Sequence, residues 1–196
     1  MPNAEQKRCA WVSVENALLR EYHDCEWGVP NHNDRKHFEF LILEAAQAGL
    51  SWSIVLNKRE GYRRAFSQFD PEKVARYTNA KIDKLVADPG IIRNRMKIEA
   101  GVKNARALLA VQEEFGSFDK YCWRFVDGEP RQNRWKSQRQ IPATTSESDE
   151  FSRDLKQRGF SFVGSTVIYS HMQAVGMVND HLVDCFRYRT IKRGLS

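Results

Sequence analysis

Residues 38–52 read FEFLILEAAQAGLSW. The apolar residues fall on every side of a 3.6-residue wheel rather than along one stripe, the pattern of a helix buried all round in a globular core. Glu44 stands in the middle of it. A carboxylate there is costly unless it is paired, hydrogen-bonded or protonated, so Glu44 either has a fixed structural partner or faces a ligand. Gly49 ends the helix, and Leu50 and Trp52 follow in a short turn as large apolar groups with no obvious place to be buried. A buried acid followed closely by a wedge and a flat ring describes a pocket floor and its rim.

Upstream, Asn33 or Asp34 is available as the N-cap of this helix. Before it, CAWVSVENALLREYHDCEWG holds a short helix over roughly residues 14–20. A cluster of Tyr22, His23, Asp24, Cys25, Glu26 and Trp27 follows, too rich in functional side chains for an ordinary loop. Residues 1–8 read as a loose tail. Downstream, Ser51 or Ser53 caps a helix carrying Ile54, Val55, Leu56, Tyr62 and Phe66 inward and Lys58, Arg59, Arg63 and Arg64 outward. Asp70 before Pro71 starts another, and Asn79 opens one that ends near Asp88. Pro89 and Gly90 break the chain ahead of a long amphipathic helix with Ile98, Val102, Ala105, Leu108 and Leu109 on one face. Helix, tight turn and helix over residues 80–106 is the order of a helix-hairpin-helix unit.

Ser117 caps an aromatic helix over residues 118–126, and residues 127–145 show no period. Ser146 with Asp149 resembles a capping box for a helix to Gln157. Gly159 breaks it. The tract FSFVGSTVIYSHMQAVGMV is apolar and β-branched, but Val167, Ser170, His171 and Ala174 keep helical spacing and the chain offers no partner strands. NDHLVDCF reads as a helical turn before a basic tail at residues 190–196. The class is all-α, a single domain over residues 9–189 in two closely packed lobes.

The totals suit this reading: 196 residues, 41% hydrophobic, net charge +6 and pI near 9.2. A basic balance favours a polyanionic partner without demanding one. Neither a signal peptide nor a membrane-spanning run stands out, which points to the cytoplasm, where the four cysteines are free thiols or metal ligands rather than disulfides.

Three constellations could carry chemistry. His181 and Cys185, four apart, would point the same way on a helix and suit Zn²⁺. Cys9 and His23 are the best candidates to complete a closed Cys₂His₂ site that staples the two ends of the chain. The bland alternative is a helix-capping His181 and a core Cys185. Around Gly90, a sharp turn, a helix start and Arg93, Arg95 and Lys97, with only Glu99 nearby as an acid, make an anion site of the kind a DNA phosphate occupies. A solvated basic face is the alternative, and Arg131, Arg134, Lys136 and Arg139 form a weaker second strip. Finally, Trp11, Tyr22, Trp27 and Trp52 offer flat rings for a planar, positively charged ligand such as an alkylated base, or else are simply core.

RCAWV, YHDCEWGVP, FEFLILEAAQAGLSW, FDPEKVA, GIIRNRMKI and KQRGFSFVGSTVIYSHMQAVGMVNDH with the trailing Cys185 together resemble the DNA-3-methyladenine glycosylase I family over residues 8–185. The resemblance implies an all-helical helix-hairpin-helix glycosylase with structural Zn²⁺ on Cys9, His23, His181 and Cys185 and no organic cofactor. It implies that Glu44 contacts an extruded base and that Tyr22 and Trp52 stack on it, beside Trp27 and Trp11. Leu50, on the DNA-binding turn at Gly49, would enter the gap left in the duplex, and the hairpin of Gly90, Ile91, Arg93, Arg95 and Lys97 would hold its backbone. The implied activity is monofunctional hydrolytic excision of 3-methyladenine from double-stranded DNA, by a monomer. Leu19 stands where some relatives carry another aromatic, and the hairpin lacks the second Gly common in the wider superfamily. The rivals are a non-catalytic zinc-stapled module that recognises damaged DNA and an enzyme acting on free purines.

Overall fold

The computed structural model describes residues 6–13 and 15–193; residues 1–5 and 194–196 of the expected tails, and Val14 of the first expected helix, lie outside the described residues. Helix α2 (Asp34–Gln47) runs through the middle, with its residues from His37 to Ala46 all buried. Asn33 caps it, accepting from the Lys36 N–H. The long α7 (Arg95–Phe115) packs against α2 and also against α5 (Pro71–Ala75), α6 (Asn79–Ala87) and α8 (Phe118–Trp123). On another side α10 (Ser165–Ala174) lies between α2 and α9 (Ser146–Gln157). A buried polar chain ties α8, α2 and α10 together: His37 Nε2 is 3.2 Å from Asp119 Oδ1, and His37 Nδ1 is 3.2 Å from His171 Nε2. Asp70, Thr78, Asn94 and Ser117 act as N-caps as their side chains allow, so most helix starts follow local sequence.

Several expected boundaries move. Helix α1 (Ala17–Cys25) starts later and runs further, because Asn16 caps it, and it carries Tyr22, His23 and Asp24 on its buried side instead of in a following loop. The helix expected after Ser51 is two, α3 (Trp52–Asn57) and α4 (Arg59–Ala65), broken at Lys58. Ile54 is exposed rather than inward, whereas Arg59 turns in to Glu26 and Glu39. The capping box of α9 is Thr145 with Ser148, one residue earlier than expected. Within the long loop, β1 (Arg131–Gln132) pairs in parallel with β2 (Val178–Asn179), a short bridge not foreseen in the sequence. In α10 the buried face is Ile168, Tyr169, His171 and Met172, while Val167 and Ser170 are only partly buried.

His181 and Cys185 do not share a helix. They sit on either side of a turn closed by the Cys185 N–H donating to the Leu182 carbonyl, and α11 (Phe186–Arg193) then takes up much of the expected basic tail. The N-terminal segment is tied in: Arg8 forms a buried ion pair with Asp24, and the Lys7 carbonyl accepts from the Phe186 N–H. Among the described residues no helix is long and apolar enough to cross a membrane.

The hairpin at residues 88–94 joins α6 to α7. Asp88 Oδ1 accepts from the Gly90 N–H at 2.7 Å, closing the turn without a left-handed φ at Gly90. Gly61 in α4 explains the close approach there: a Cβ at this position would collide with the Gly90 carbonyl. Because the obstacle is backbone, Gly61→Ala forces α4 and the hairpin apart. A loss of about 3 kcal/mol is expected in urea denaturation, and an unchanged midpoint would show that the two segments do not need this contact.

Candidate active site and metal cluster

Two buried glutamates on α2 have opposite surroundings. Five residues apart, they project about 140° from one another around the helix. Glu39 meets Arg59 at 2.8 Å, Lys36 at 2.9 Å and Arg63 at 3.3 Å. Burial pushes its carboxyl up, but the Arg59 hydrogen bond and the Arg59 and Lys36 charges outweigh this and hold it below the usual range. Glu44 is 5% exposed and, among the described residues, has neither an ion pair nor a hydrogen-bond partner for its side chain. Burial alone pushes its pKa up to about 8. Of the two possibilities the sequence leaves open, Glu39 is the acid with a structural partner and Glu44 the acid without one.

Glu44 opens onto a cavity of about 240 Å³ whose walls are Trp11, Tyr22, Trp27 and Trp52. All four sequence-predicted aromatics therefore converge, though they lie on different segments. The Tyr22 and Trp52 rings are 5.3 Å apart and tilted, and Trp11 meets Trp27 edge-on at 5.1 Å. Burial, then the neighbouring Glu44, pushes the Tyr22 phenol well above its ordinary range. The Trp52 indole N–H is buried without an acceptor among the described residues. Sequence reasoning missed Gln47, Ser170, Gln173 and Gln138, which supply the remaining polar lining. Gln47 had a signal, since it lies one turn from Glu44. Gln138 had none, because the 3-10 turn at Gln138–Gln140 is brought over the cavity by a long irregular loop. A smaller adjoining cavity of about 190 Å³ shares Glu44, Gln47 and Ser170 and extends to Gly49 and Leu50. Leu50 is 38% exposed at its mouth.

Behind the aromatic wall, Cys9, His23, His181 and Cys185 bring four ligand atoms within 4.8 Å of one another, all buried. Cys9 Sγ and Cys185 Sγ each lie 3.6 Å from His181 Nδ1, and Cys185 Sγ lies 3.5 Å from His23 Nε2. The outer nitrogens are oriented: His23 Nδ1 faces Asp24 Oδ1 at 2.8 Å, and His181 Nε2 donates to the Trp27 carbonyl at 3.0 Å. Both imidazoles thereby present a lone pair inward, as metal-binding histidines do. A hydrogen bond from Cys9 leads the influences that hold the Cys185 thiol well below its usual range, against burial. The cluster could hold a metal ion, and it links the N- and C-terminal segments.

The hairpin is less uniform than its composition suggests. Arg93 is exposed. Arg95 is exposed too but pairs with Asp83 and, at 3.3 Å, with Glu99. The Ile91 side chain is a core residue, 1% exposed, so it does not reach outward. The Lys97 ammonium turns to protein, donating to the carbonyls of Ala46 and Ala48.

Residues 11–188 match the family described as methyladenine glycosylase. A relative from Escherichia coli (strain K12), DNA-3-methyladenine glycosylase 1, is 50% identical over 182 residues, covering 93% of this chain and 97% of the relative. A crystal structure of a 3-methyladenine DNA glycosylase I superposes with a TM-score of 0.89 at 49% identity, over 92% of this chain and 98% of that one. Another, a variant in complex with 3-methyladenine, superposes with a TM-score of 0.88 at 36% identity, over 91% of this chain and 96% of that one. With the match spanning the cavity together with His23, His181 and Cys185 of the cluster, the chain belongs to the methyladenine glycosylase family.

Proposed function

We infer that the Glu44 cavity is the base site of a DNA glycosylase that excises 3-methyladenine from DNA. The observation that carries this is Glu44 itself, a buried carboxylate with no partner among the described residues, walled by four aromatic rings in a chain of this family. Alkylation at N3 leaves the adenine positively charged in DNA. Such a base is attracted to the faces of Tyr22 and the tryptophans and to the Glu44 carboxylate, which a neutral adenine is not. It is already a good leaving group, so no acid is needed to protonate it. Glu44 accepts from the exocyclic amine and stabilises positive charge as the sugar becomes oxocarbenium-like. Among the described residues the cavity lining holds no lysine, which supports a monofunctional hydrolase without a Schiff-base step.

The base must leave a duplex to reach this cavity. Extrusion costs a few kcal/mol, less for a damaged base. Leu50, exposed on the turn made by Gly49, fills the gap left in the stack on this reading, and the exposed Arg93 of the hairpin meets the backbone. Leu50→Ala is expected to slow excision from duplex DNA about tenfold while leaving a single-stranded substrate less affected; equal effects on both would remove the wedge role.

The metal is Zn²⁺. Zinc–sulfur and zinc–nitrogen bonds at the tetrahedral angle place S and N about 3.6 Å apart, and the observed sulfur–nitrogen separations are 3.5 and 3.6 Å. Four protein donors would close the coordination sphere of a bound ion, so its contribution would be structural.

The test is release of free base from methylated duplex DNA, resolved by chromatography, with Glu44→Ala alongside. Release of 3-methyladenine by wild type and its loss in the folded variant is the expected result. No release by folded, zinc-loaded wild type would overturn it and favour a module that binds damage without excising it.

A further inference from the structure

Lys97 is a hairpin cation that the sequence assigns to DNA and the structure assigns to protein. Its ammonium donates to Ala46 O at 2.8 Å and to Ala48 O at 2.6 Å, both at the C-terminal end of α2. Carbonyls in a last helical turn lack intrahelical partners and carry the negative end of the helix dipole, so a cation is well placed there. Little else closes this end: Ala48 leaves the helical conformation, Gly49 has φ +82, and Leu50 N–H reaches back to Gln47 O. Burial lowers the Lys97 pKa, and no carboxylate offsets it. The lysine is itself pinned. Asn94 caps α7 by accepting from the Lys97 N–H at 3.1 Å, and the next residue, Ile98, is buried.

We propose that Lys97 is a positioning residue that clamps the end of α2, fixing the turn at Gly49 and Leu50 and the carboxylate of Glu44 to the frame of the hairpin. The path is short and rigid: hairpin, Asn94 cap, Lys97, the Ala46 and Ala48 carbonyls, wedge. Seating the hairpin on the DNA backbone then also sets where Leu50 and Glu44 stand. This rests on the roles of Leu50 and Glu44 proposed above.

A phosphate contact and a carbonyl clamp predict different behaviour. A phosphate contact contributes about 0.9 to the slope of log affinity against log salt, and loosens binding without slowing the bound complex. A clamp leaves the slope alone and slows the bound complex. The experiment compares wild type with Lys97→Met, Lys97→Gln and Lys97→Arg in single-turnover base release at saturating enzyme. Affinity for an abasic duplex is measured at several salt concentrations, and 2-aminopurine beside the target site reports base extrusion. Lys97→Met is expected to slow release about tenfold or more with the salt slope unchanged. Lys97→Arg, which still donates to carbonyls, should recover most of the rate. The proposal is overturned if release at saturation is unchanged, or if the slope falls by about 0.9. If Lys97→Met fails to fold, Lys97→Gln, uncharged and one bond shorter, is expected between Met-like loss and Arg-like recovery, and a wild-type rate at saturation with a salt slope lower by about 0.9 overturns the proposal. Failure of the base-site reading is separate, because wild type itself would then release no base.

Discussion

Glu44→Gln is expected to lower excision at least about 100-fold and to make the protein more stable at pH 8. The folded-state pKa of about 8 stands above the ordinary 4.5, so ionising Glu44 works against the fold. Below pH 4.5 the acid is neutral folded or unfolded and costs nothing on this account. As pH rises from 4.5 towards 8, the unfolded chain ionises first and stability falls; above 8 the full penalty is present. That penalty is up to about 5 kcal/mol, and about 3 kcal/mol at pH 7. Glutamine keeps the shape without the charge but leaves a buried amide unpaired, returning about 1–3 kcal/mol of the gain. The variant should therefore be more stable than wild type at pH 8 and not at pH 4.5, as read by urea denaturation at the two values. Its excision rate should fall at least about 100-fold, since it loses the charge that meets the cationic base. Free-enzyme activity of the wild type should rise with pH towards 8 as Glu44 ionises. A variant with wild-type excision, or with the same stability difference at both pH values, would remove Glu44 from this role.

The second large effect is expected on stripping the Zn²⁺ proposed above. The four donors come from residues 9–23 and 181–185, the two ends of the chain. Binding free energy at such a site is folding free energy, so stripping zinc under mild denaturation is expected to lower the thermal midpoint sharply, by several kcal/mol of stability. The base site should go with it. Trp11 is two residues from Cys9, Tyr22 precedes His23, and the Trp27 ring meets the His181 ring at 4.6 Å. Asp24→Asn tests the arrangement without removing a ligand. It leaves the four donors in place but weakens the acceptor that orients His23, and metal affinity should fall about 10–100-fold. Metal analysis, circular dichroism and base release on the same sample decide it; a folded, active protein with less than about a tenth of an equivalent of zinc would overturn the structural role.

What was legible in the sequence has a common physical character. The α2 helix announces itself by apolar residues on every side, and the hairpin by Pro89 and Gly90, because both signals are local. The aromatic wall and the cysteine–histidine set are readable from residue type once the family motifs are seen. What stayed hidden depends on partners far along the chain. Glu39 gave no sign that Arg59, twenty residues on, would neutralise it. Lys97 read as a phosphate ligand because its acceptors are backbone carbonyls 49 and 51 residues away, and carbonyls leave no mark in a sequence. Gln138 and the bridge between β1 and β2 share this origin, since irregular loops are placed by tertiary pairing and not by period. The break at Lys58 between α3 and α4 has no local signal that we can name.

Depth also decides which thiols survive where this enzyme works. The agents that methylate adenine are electrophiles, and thiolates react with electrophiles readily. Cys9 and Cys185 are each 2% exposed, and Cys122 is fully buried. Cys25, on the last turn of α1 beside those ligands, is exposed. A reagent arriving from solvent therefore reaches Cys25 more readily than Cys9 and Cys185, and the two sulfurs of the cluster that links the ends of the chain are shielded by depth from the damage whose products the protein removes.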